Sequence, residues 1–209
     1  MTPATLEHRH GREAARALML AMNDSVDEVD RVCQRENIDA QFHKGGILTL
    51  ARGEHHLPML RSAFEAYSRL GLGQQYRLCS AGEAHERVRV TNVCGALYAS
   101  ENASVHPGRL IRGLARAVER RGGMIFERTE VADFESGPSP RLLMSAGEIR
   151  ARHAIVLAGE SYLTRLAKLH RTVLPVYSLI ALTEPLTEAQ WAQIGWQNPR
   201  EPGVLQLHG

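Results

Sequence analysis

The chain has 209 residues, of which 44% are hydrophobic and 23% are charged, and its formal net charge is +2 at pH 7. This length suits one large domain or two small ones, and the composition is ordinary for a globular protein. So small a charge does not indicate a nucleic-acid or membrane partner, and no apolar run reaches the roughly 18 residues that span a bilayer. The N-terminus has no signal-peptide core. We therefore expect a cytoplasmic protein with neither partner.

The cysteines and histidines give no sign of a disulfide framework or a metal site. No CxxC pattern occurs, and we expect reduced, half-buried thiols at the three widely separated cysteines, Cys33, Cys79 and Cys94. His8 and His10 lie two residues apart, and His55 and His56 are adjacent. Neither spacing places two imidazoles on one helix face, as a separation of four residues would. We predict that the chain binds no metal.

The first hundred residues alternate helices with extended segments. The spacing predicts one long helix over residues 7–37, with an apolar stripe of Leu18, Met22, Val26, Val29 and Cys33. A strand pair or bent strand follows over 42–50, with a turn or bulge at Gly45-Gly46. We predict a second helix over 57–70, an extended segment over 76–80, a capping box of Ser80 with Glu83, and a strand over 95–99.

Residues 105–121 form the most readable helix. Pro107 suits its first turn, where the missing N–H would be unpaired anyway. The apolar residues Leu110, Leu114 and Val118 recur at helical spacing. Gly113 costs about 1 kcal/mol relative to Ala in a helix interior, so its presence predicts close packing at that point. Gly122 is suited to the left-handed C-terminal position.

The segments after this helix are typical of half a nucleotide-binding sheet. We predict a short strand over 124–127, a meander of strands near 131–134, 142–144 and 148–151, and a buried strand over 153–159 that ends in Ala158-Gly159. A helix over 159–169, a long strand over 172–182 and a helical turn or two over 187–194 complete the chain. The pattern predicts an α/β protein, α+β overall.

In their order and spacing, these segments resemble the flavin-dependent amine and amino-acid oxidase family, which includes D-amino-acid oxidase, glycine oxidase, sarcosine oxidase and gamma-glutamylputrescine oxidase. The resemblance covers nearly the whole chain. It is carried by the helix over 105–123, by 129–131, by 154–159, by 42–48, and by 174–178 with 183–186.

The resemblance implies a partial FAD-binding Rossmann-like domain interleaved with an antiparallel-sheet substrate domain. Residues 1–40 and 101–171 would belong to the FAD-binding domain, and residues 41–100 and 172–209 to the substrate domain. The cofactor implied is FAD. The substrate implied is a small-molecule primary or secondary amine, or an amino acid, that is oxidised to an imine by hydride transfer to the flavin.

The resemblance also implies three cofactor-binding residues. The residue matching Val131 contacts the adenine end of FAD through its backbone, and the Ala158-Gly159 turn approaches the nucleotide where a larger side chain would clash. Val131 is otherwise an ordinary strand residue, and Ala158-Gly159 a plain strand-to-helix turn. Tyr98 and Tyr177 are candidates to face a substrate pocket, although a tyrosine in a strand is more often packed with its hydroxyl bonded.

The chain also departs from the family pattern. The G-x-G-x-x-G turn that seats a pyrophosphate on a helix N-terminus is absent. Gly71-Leu72-Gly73 lacks the third glycine, and Glu160 stands where small residues usually follow the glycine. We therefore interpret the chain as the middle of such an oxidase, cut at both ends, and no catalytic side chain is assigned. The alternative is a non-catalytic remnant or binding fragment without flavin; an NAD-dependent dehydrogenase is disfavoured because its glycine fingerprint is also absent.

Overall fold

A computed structural model describes residues 2–176, 179–180, 183–196 and 204–208. Helices and strands are both well represented, which agrees with the predicted α+β class. Two short 3₁₀ segments, Glu160–Arg165 and Ala167–Leu169, lie between the last strands. The main elements are α1 (Pro3–His10), α2 (Arg12–Arg35), β1 (Ile47–Ala51), α3 (Leu57–Arg69), β2 (Tyr76–Ser80), α4 (Ala81–Arg87), β3 (Gly95–Ala99), α5 (Pro107–Arg120), β4 (Asp133–Glu135), β5 (Arg141–Met144), β6 (Gly147–Arg150), α6 (Glu188–Ile194) and β7 (Val204–His208).

The chain divides into two compact units. Unit 1 comprises Met1–Gly123 and Glu184–Gly209, and unit 2 comprises Met124–Thr183. Unit 1 is a four-stranded sheet in the order β2-β3-β1-β7 with helices packed against it. Strand β3 is antiparallel to both β1 and β2, whereas β7 runs parallel to β1. The sequence did not predict β7, because the residues before it are rich in Pro and Gly.

The alternation of side chains along β1 and β3 gives the sheet two apolar faces. One face packs Leu48, Leu50 and Ala96 against Val88, which follows α4, and Ile194 of α6 adds to this cluster. The other face packs Ala51 and Leu97 against Leu60 of α3. The sheet is therefore covered by helical segments on both sides and forms the core of unit 1.

Helices α2 and α5 are held together by a small apolar cluster. Ile38 and Cys33 are buried, and Leu110 and Leu114 of α5 pack against them. A Cβ atom at Gly113 would lie 2.8 Å from Cγ1 of Ile38, so the Ile38 side chain, which follows α2, packs against α5 at a distance that only glycine permits. The close packing predicted for Gly113 is confirmed. Val118 does not belong to the contact, because its side chain is 47% exposed.

Three helices of unit 1 end in the same way. A residue with positive φ follows the last turn, and the next N–H returns to a carbonyl five residues earlier, which is the Schellman arrangement. Gly122 has φ 81°, as predicted, and Gly123 N donates to Val118 O. The residues with positive φ at the ends of α2 and α3 are Asn37 and Gly71. Gly71-Leu72 is thus part of a helix stop.

A cluster of ion pairs joins the C-terminal ends of α2 and α5. The Glu36 side chain is 9% exposed and accepts hydrogen bonds from Arg121 Nη2 at 2.5 Å and Nη1 at 2.8 Å. Arg120 Nη2 lies 3.1 Å from the same carboxylate. These contacts, of which the hydrogen bond from Arg121 has the largest effect, lower the pKa of Glu36 from its ordinary value of 4.5 to about 2.

Unit 2 is built on the antiparallel meander β4-β5-β6. These strands match the segments predicted near 131–134, 142–144 and 148–151. Lys168 ties the second 3₁₀ segment to the meander, since its Nζ lies 2.9 Å from Asp133 Oδ2 and donates to Phe134 O at 2.7 Å. The pKa of Asp133 is lowered mainly by the hydrogen bond from the Lys168 ammonium and, to a smaller extent, by the hydrogen bond from the Phe134 N–H.

Several predicted elements differ in the structure. The helix predicted over 7–37 is divided by Gly11, whose φ of 81° and ψ of 164° are incompatible with a helix. The capping box of Ser80 with Glu83 and the helix over 187–194 are confirmed, the latter beginning with a second capping box at Thr187. All three cysteines are free thiols; Cys94 is half-buried, as predicted, whereas Cys33 and Cys79 are buried.

The predicted strands over 124–127 and 153–159 are wrong: both segments are irregular, and Val156 is 85% exposed. A buried parallel strand needs hydrogen-bonding neighbours along its edges, and no described strand pairs with either segment. The helix over 159–169 is replaced by the two 3₁₀ segments. In the predicted strand 172–182, residues 173–176 and 179–180 form no strand; Tyr177, Ser178, Ala181 and Leu182 lie outside the described residues.

Within the described part of the chain, no helix is both long enough and apolar enough to cross a membrane.

The Gly113 contact makes a prediction about stability. Gly113→Ala should lower the free energy of unfolding by about 1 kcal/mol, because overpacking costs about 1–3 kcal/mol and exceeds the gain of about 1 kcal/mol that Ala brings to a helix. Urea unfolding measures this difference. In an Ile38→Ala background Cγ1 and Cγ2 are gone and only Cβ, at 3.0 Å, remains, so the same substitution should be much less destabilising or neutral. Equal destabilisation in both backgrounds would rule out the Ile38 contact as its cause.

The Glu36 cluster makes a prediction about pH. A carboxylate whose pKa is depressed on folding contributes stability that is complete above its unfolded pKa and is lost as pH falls through the folded value. Glu36→Gln should therefore lower stability at pH 7, and the difference from wild type should disappear between pH 4.5 and about 2. Chemical denaturation at a series of pH values measures it. Glu119→Gln, at an exposed carboxylate on α5, is the matched control; a pH-independent loss in Glu36→Gln would contradict the electrostatic explanation.

Candidate functional site

The three residues predicted to contact the nucleotide all lie in unit 2. Val131 is half-buried and directly precedes the β4–β5 ladder, where Ala132 N donates to Leu143 O at 2.9 Å. Ala158 is exposed, and Gly159 is half-buried at the start of the first 3₁₀ segment. Val131 and Ala158 are therefore placed where a ligand can reach them.

Gly159 has a local reason for being small. A Cβ atom there would lie 2.9 Å from Cδ2 of Leu163 and 3.2 Å from its Cγ. Its φ is −90°, which any residue can adopt. The glycine is thus explained by packing against Leu163 within the segment, and contact with a nucleotide is a separate hypothesis. Glu160, the residue after it, has φ 49° and accepts a hydrogen bond from Ser161 N at 2.7 Å.

Unit 2 also contains a small cavity of about 230 Å³. It lies between the meander and the irregular segment 153–157. Its walls include an aromatic ring, a carboxylate, an imidazole and aliphatic side chains, contributed by Phe134, Glu135, His153, Ile155 and Leu157. The last residue of its wall in chain order, Leu157, directly precedes Ala158.

Unit 1 contains a larger cavity of about 440 Å³ between α2, α3 and the sheet. Much of its wall is apolar and comes from Met19, Met22 and Val26 of α2, Met59 of α3, and Ile47 and Leu97 of the sheet. Tyr67 and Tyr76 stack at one side with ring centroids 3.6 Å apart. Burial has the largest effect on the pKa of Tyr76, and the neighbouring Tyr67 has the next largest. Both raise this pKa, so the Tyr76 hydroxyl stays protonated.

One end of this cavity is polar. Glu101 and Asn102 contribute to its wall, and Lys44 Nζ lies 2.6 Å from both Glu101 Oε2 and Asp27 Oδ1. Hydrogen bonds with Asp27 and then with Glu101 raise the pKa of Lys44. Ser100 Oγ donates to the other oxygen of Glu101 at 2.9 Å. The network joins α2 to the segment after β3 and leaves one ammonium facing two carboxylates.

Sequence reasoning missed this cavity and its ion network. The network residues Asp27, Lys44 and Glu101 are separated by 17 and 57 positions along the chain, a spacing with no periodicity. A partial signal existed in the methionines of α2 and α3, Met19, Met22 and Met59, because methionine commonly fills irregular apolar space.

The tyrosine predicted as a possible substrate contact in unit 1 has a packing role. Tyr98 donates its hydroxyl to Gly45 O at 3.3 Å, and the Arg87 guanidinium lies 4.7 Å from its ring centroid. The other candidate, Tyr177, lies outside the described residues. In the part of the chain that is described, no group of three or more His, Cys, Asp or Glu side chains is arranged to hold a metal ion.

Two curated relatives are similar to most of the chain. Gamma-glutamylputrescine oxidoreductase of Escherichia coli (strain K12) is 26% identical over 185 residues, covering 88% of this chain and 43% of the relative. Glycine oxidase of Geobacillus kaustophilus (strain HTA426) is 29% identical over 166 residues, covering 78% and 42%. The chain thus spans less than half the length of these relatives.

Solved structures agree with this relationship. The crystal structure of glycine oxidase from Geobacillus kaustophilus has a TM-score of 0.57 at 27% identity, covering 73% of this chain and 40% of that one. L-proline dehydrogenase from P. horikoshii has a TM-score of 0.60 at 18% identity, covering 70% and 39%, and shares the fold. The family profile described as "DAO: FAD dependent oxidoreductase" matches residues 4–207. With α2, the sheet of unit 1, α5 and the meander all inside that match, the chain belongs to the DAO family of FAD-dependent oxidoreductases.

Proposed function

We propose that this chain is the central part of an FAD-dependent oxidoreductase that oxidises a primary or secondary amine, or an amino acid, to an imine. The observation that carries the proposal is the family match over residues 4–207, together with relatives named for an amine and an amino acid, gamma-glutamylputrescine and glycine. Because the chain covers less than half of those relatives, the activity is assigned to a longer polypeptide.

FAD would supply the two-electron acceptor for this oxidation when bound. The residues present are compatible with a nucleotide on unit 2. Ala158 is exposed, so its small side chain leaves the backbone accessible, and Val131 sits at the open start of the β4–β5 ladder. Gly159 would add a close backbone approach, although its packing against Leu163 already requires a small residue.

The proposed FAD-binding part and the proposed substrate part each contain one of the two sheets. We assign residues 1–40 and 101–171 to the FAD-binding part, and residues 41–100 and 172–209 to the substrate part. The four strands of the unit 1 sheet, β1, β2, β3 and β7, all fall in the substrate ranges, and the meander falls in the FAD-binding range. The substrate proposed is a small-molecule amine, and the location proposed is the cytoplasm.

A second candidate, a non-catalytic remnant or a fragment that binds no flavin, is favoured by one observation. The irregular segment 153–159 exposes Val156 and half-exposes Ile155 without pairing to a described strand. A nucleotide site that depends on the end of this segment has little to hold it in place.

Flavin retention separates the two candidates. The chain is incubated with excess FAD and desalted, and its visible absorption is recorded. We expect retained flavin in the wild type and a loss of about tenfold or more in affinity for Ala158→Glu, because a bulky anion would meet the nucleotide phosphates at close range. Ala167→Glu, at another exposed alanine of unit 2, is the matched control and should retain flavin.

A colourless wild-type protein would favour the remnant. Equal retention in both variants would contradict the placement of the nucleotide at Ala158. If flavin is retained, its anaerobic bleaching by gamma-glutamylputrescine or by glycine tests the amine-oxidation proposal directly.

A further inference from the structure

The cavity of unit 1 is built from a different set of residues than the proposed nucleotide contacts. Its wall is drawn from α2, α3, β1, β2, β3 and the residues after β3, and it includes none of Val131, Ala158 or Gly159. We propose that this cavity is a binding site for a mainly aromatic or aliphatic organic molecule that carries one hydrogen-bond donor and no negative charge. The proposal is independent of whether the chain binds flavin.

The volume and the apolar wall define the body of the ligand. A space of about 440 Å³ lies within the range of about 300–1,000 Å³ typical of small-molecule pockets. Met22 and Met59 are 54% and 44% exposed and stand at the opening. Unbranched methionine side chains adapt to different apolar shapes and make favourable contacts with aromatic rings. The stacked pair of Tyr67 and Tyr76 offers a rigid aromatic surface beside them.

The polar end defines the head group. Glu101 is 20% exposed at its side chain, and its two oxygens are occupied by Lys44 and Ser100. Each carboxylate oxygen has a second acceptor position, so the wall can accept a further hydrogen bond. Asp27, Glu101 and Lys44 together carry a net charge of −1, which repels an anionic head. A donor that carries no negative charge satisfies this end without that repulsion.

Two fluorescent probes with the same aromatic skeleton test both parts of the proposal on the full chain. N-phenylnaphthylamine is uncharged and has one N–H, whereas anilinonaphthalenesulfonate adds a sulfonate to the same rings. We expect saturable binding of one N-phenylnaphthylamine per chain, and binding of the sulfonate that is about tenfold weaker or more, because its charge meets the net negative end of the cavity.

Variants locate the binding. Ala63→Phe places a ring in the cavity from α3 and should weaken N-phenylnaphthylamine binding about tenfold or more, because it occupies the ligand's volume. Met22→Lys adds a positive charge at the opening and should reverse the preference, so that the sulfonate binds more tightly than the neutral probe. A general loss of folding would weaken the binding of both probes and would not reverse their order. Val156→Ser with Leu174→Ser removes exposed apolar side chains of unit 2 and should leave binding unchanged.

Circular dichroism and urea unfolding establish whether each variant is folded. If Ala63→Phe does not fold, Met22→Lys alone tests whether the probe binds in the cavity. The proposal is overturned if the sulfonate binds as tightly as the neutral probe. It is also overturned if Met22→Lys leaves the preference unchanged, or if binding is lost in the unit 2 variant, since the probe would then report the exposed apolar surface there.

Discussion

The position of helix α2 is the constraint on which unit 1 depends. Its 24 residues give a length of about 36 Å at 1.5 Å per residue, enough to serve several contacts in turn. Near its start, Ala15 and Met19 pack against Leu70 and Leu72 at the end of α3. Its middle forms one wall of the 440 Å³ cavity, and its C-terminal end meets α5 through Cys33 and Ile38. A shift at either end would therefore be transmitted to the cavity between them.

The contacts at the two ends of α2 differ in kind. At the α5 end, the contact of the Ile38 side chain with Gly113 and the Glu36 cluster are both specific in geometry: one requires the absence of a Cβ, and the other requires three charged groups at the ends of two helices. At the α3 end the contact is ordinary burial of aliphatic side chains, which tolerates substitution by residues of similar volume. The α5 end of α2 is consequently less tolerant of substitution than the α3 end.

Local patterns were sufficient for elements whose determinants are close in sequence. The Ser80–Glu83 capping box, the left-handed Gly122 and the three strands of the meander each depend on residues within a few positions of one another. Elements with distant determinants were not predictable in this way. Strand β7 pairs with β1, which lies more than 150 positions earlier, and the cavity joins side chains from six separate segments. Of the candidate site, the sequence suggested the nucleotide contacts through family resemblance, which stay a prediction, but it indicated neither the cavity nor the Lys44 network.

The failed strand prediction at 153–159 has a further consequence. The run has the apolar composition of a strand buried on both faces, yet Val156 is 85% exposed, and in the neighbouring stretch Leu174 and Leu179 are 84% and 98% exposed. Isolated exposed apolar residues are common, but several of them in one unit form a surface that favours association or ligand contact. In unit 1, by contrast, both faces of the sheet are already covered by helical segments. The sheet of unit 1 is thus a part of the family's fold whose packing this chain completes with its own residues, whereas the segment 153–159 of unit 2 has the composition of a strand but lacks the pairing that would fix its backbone.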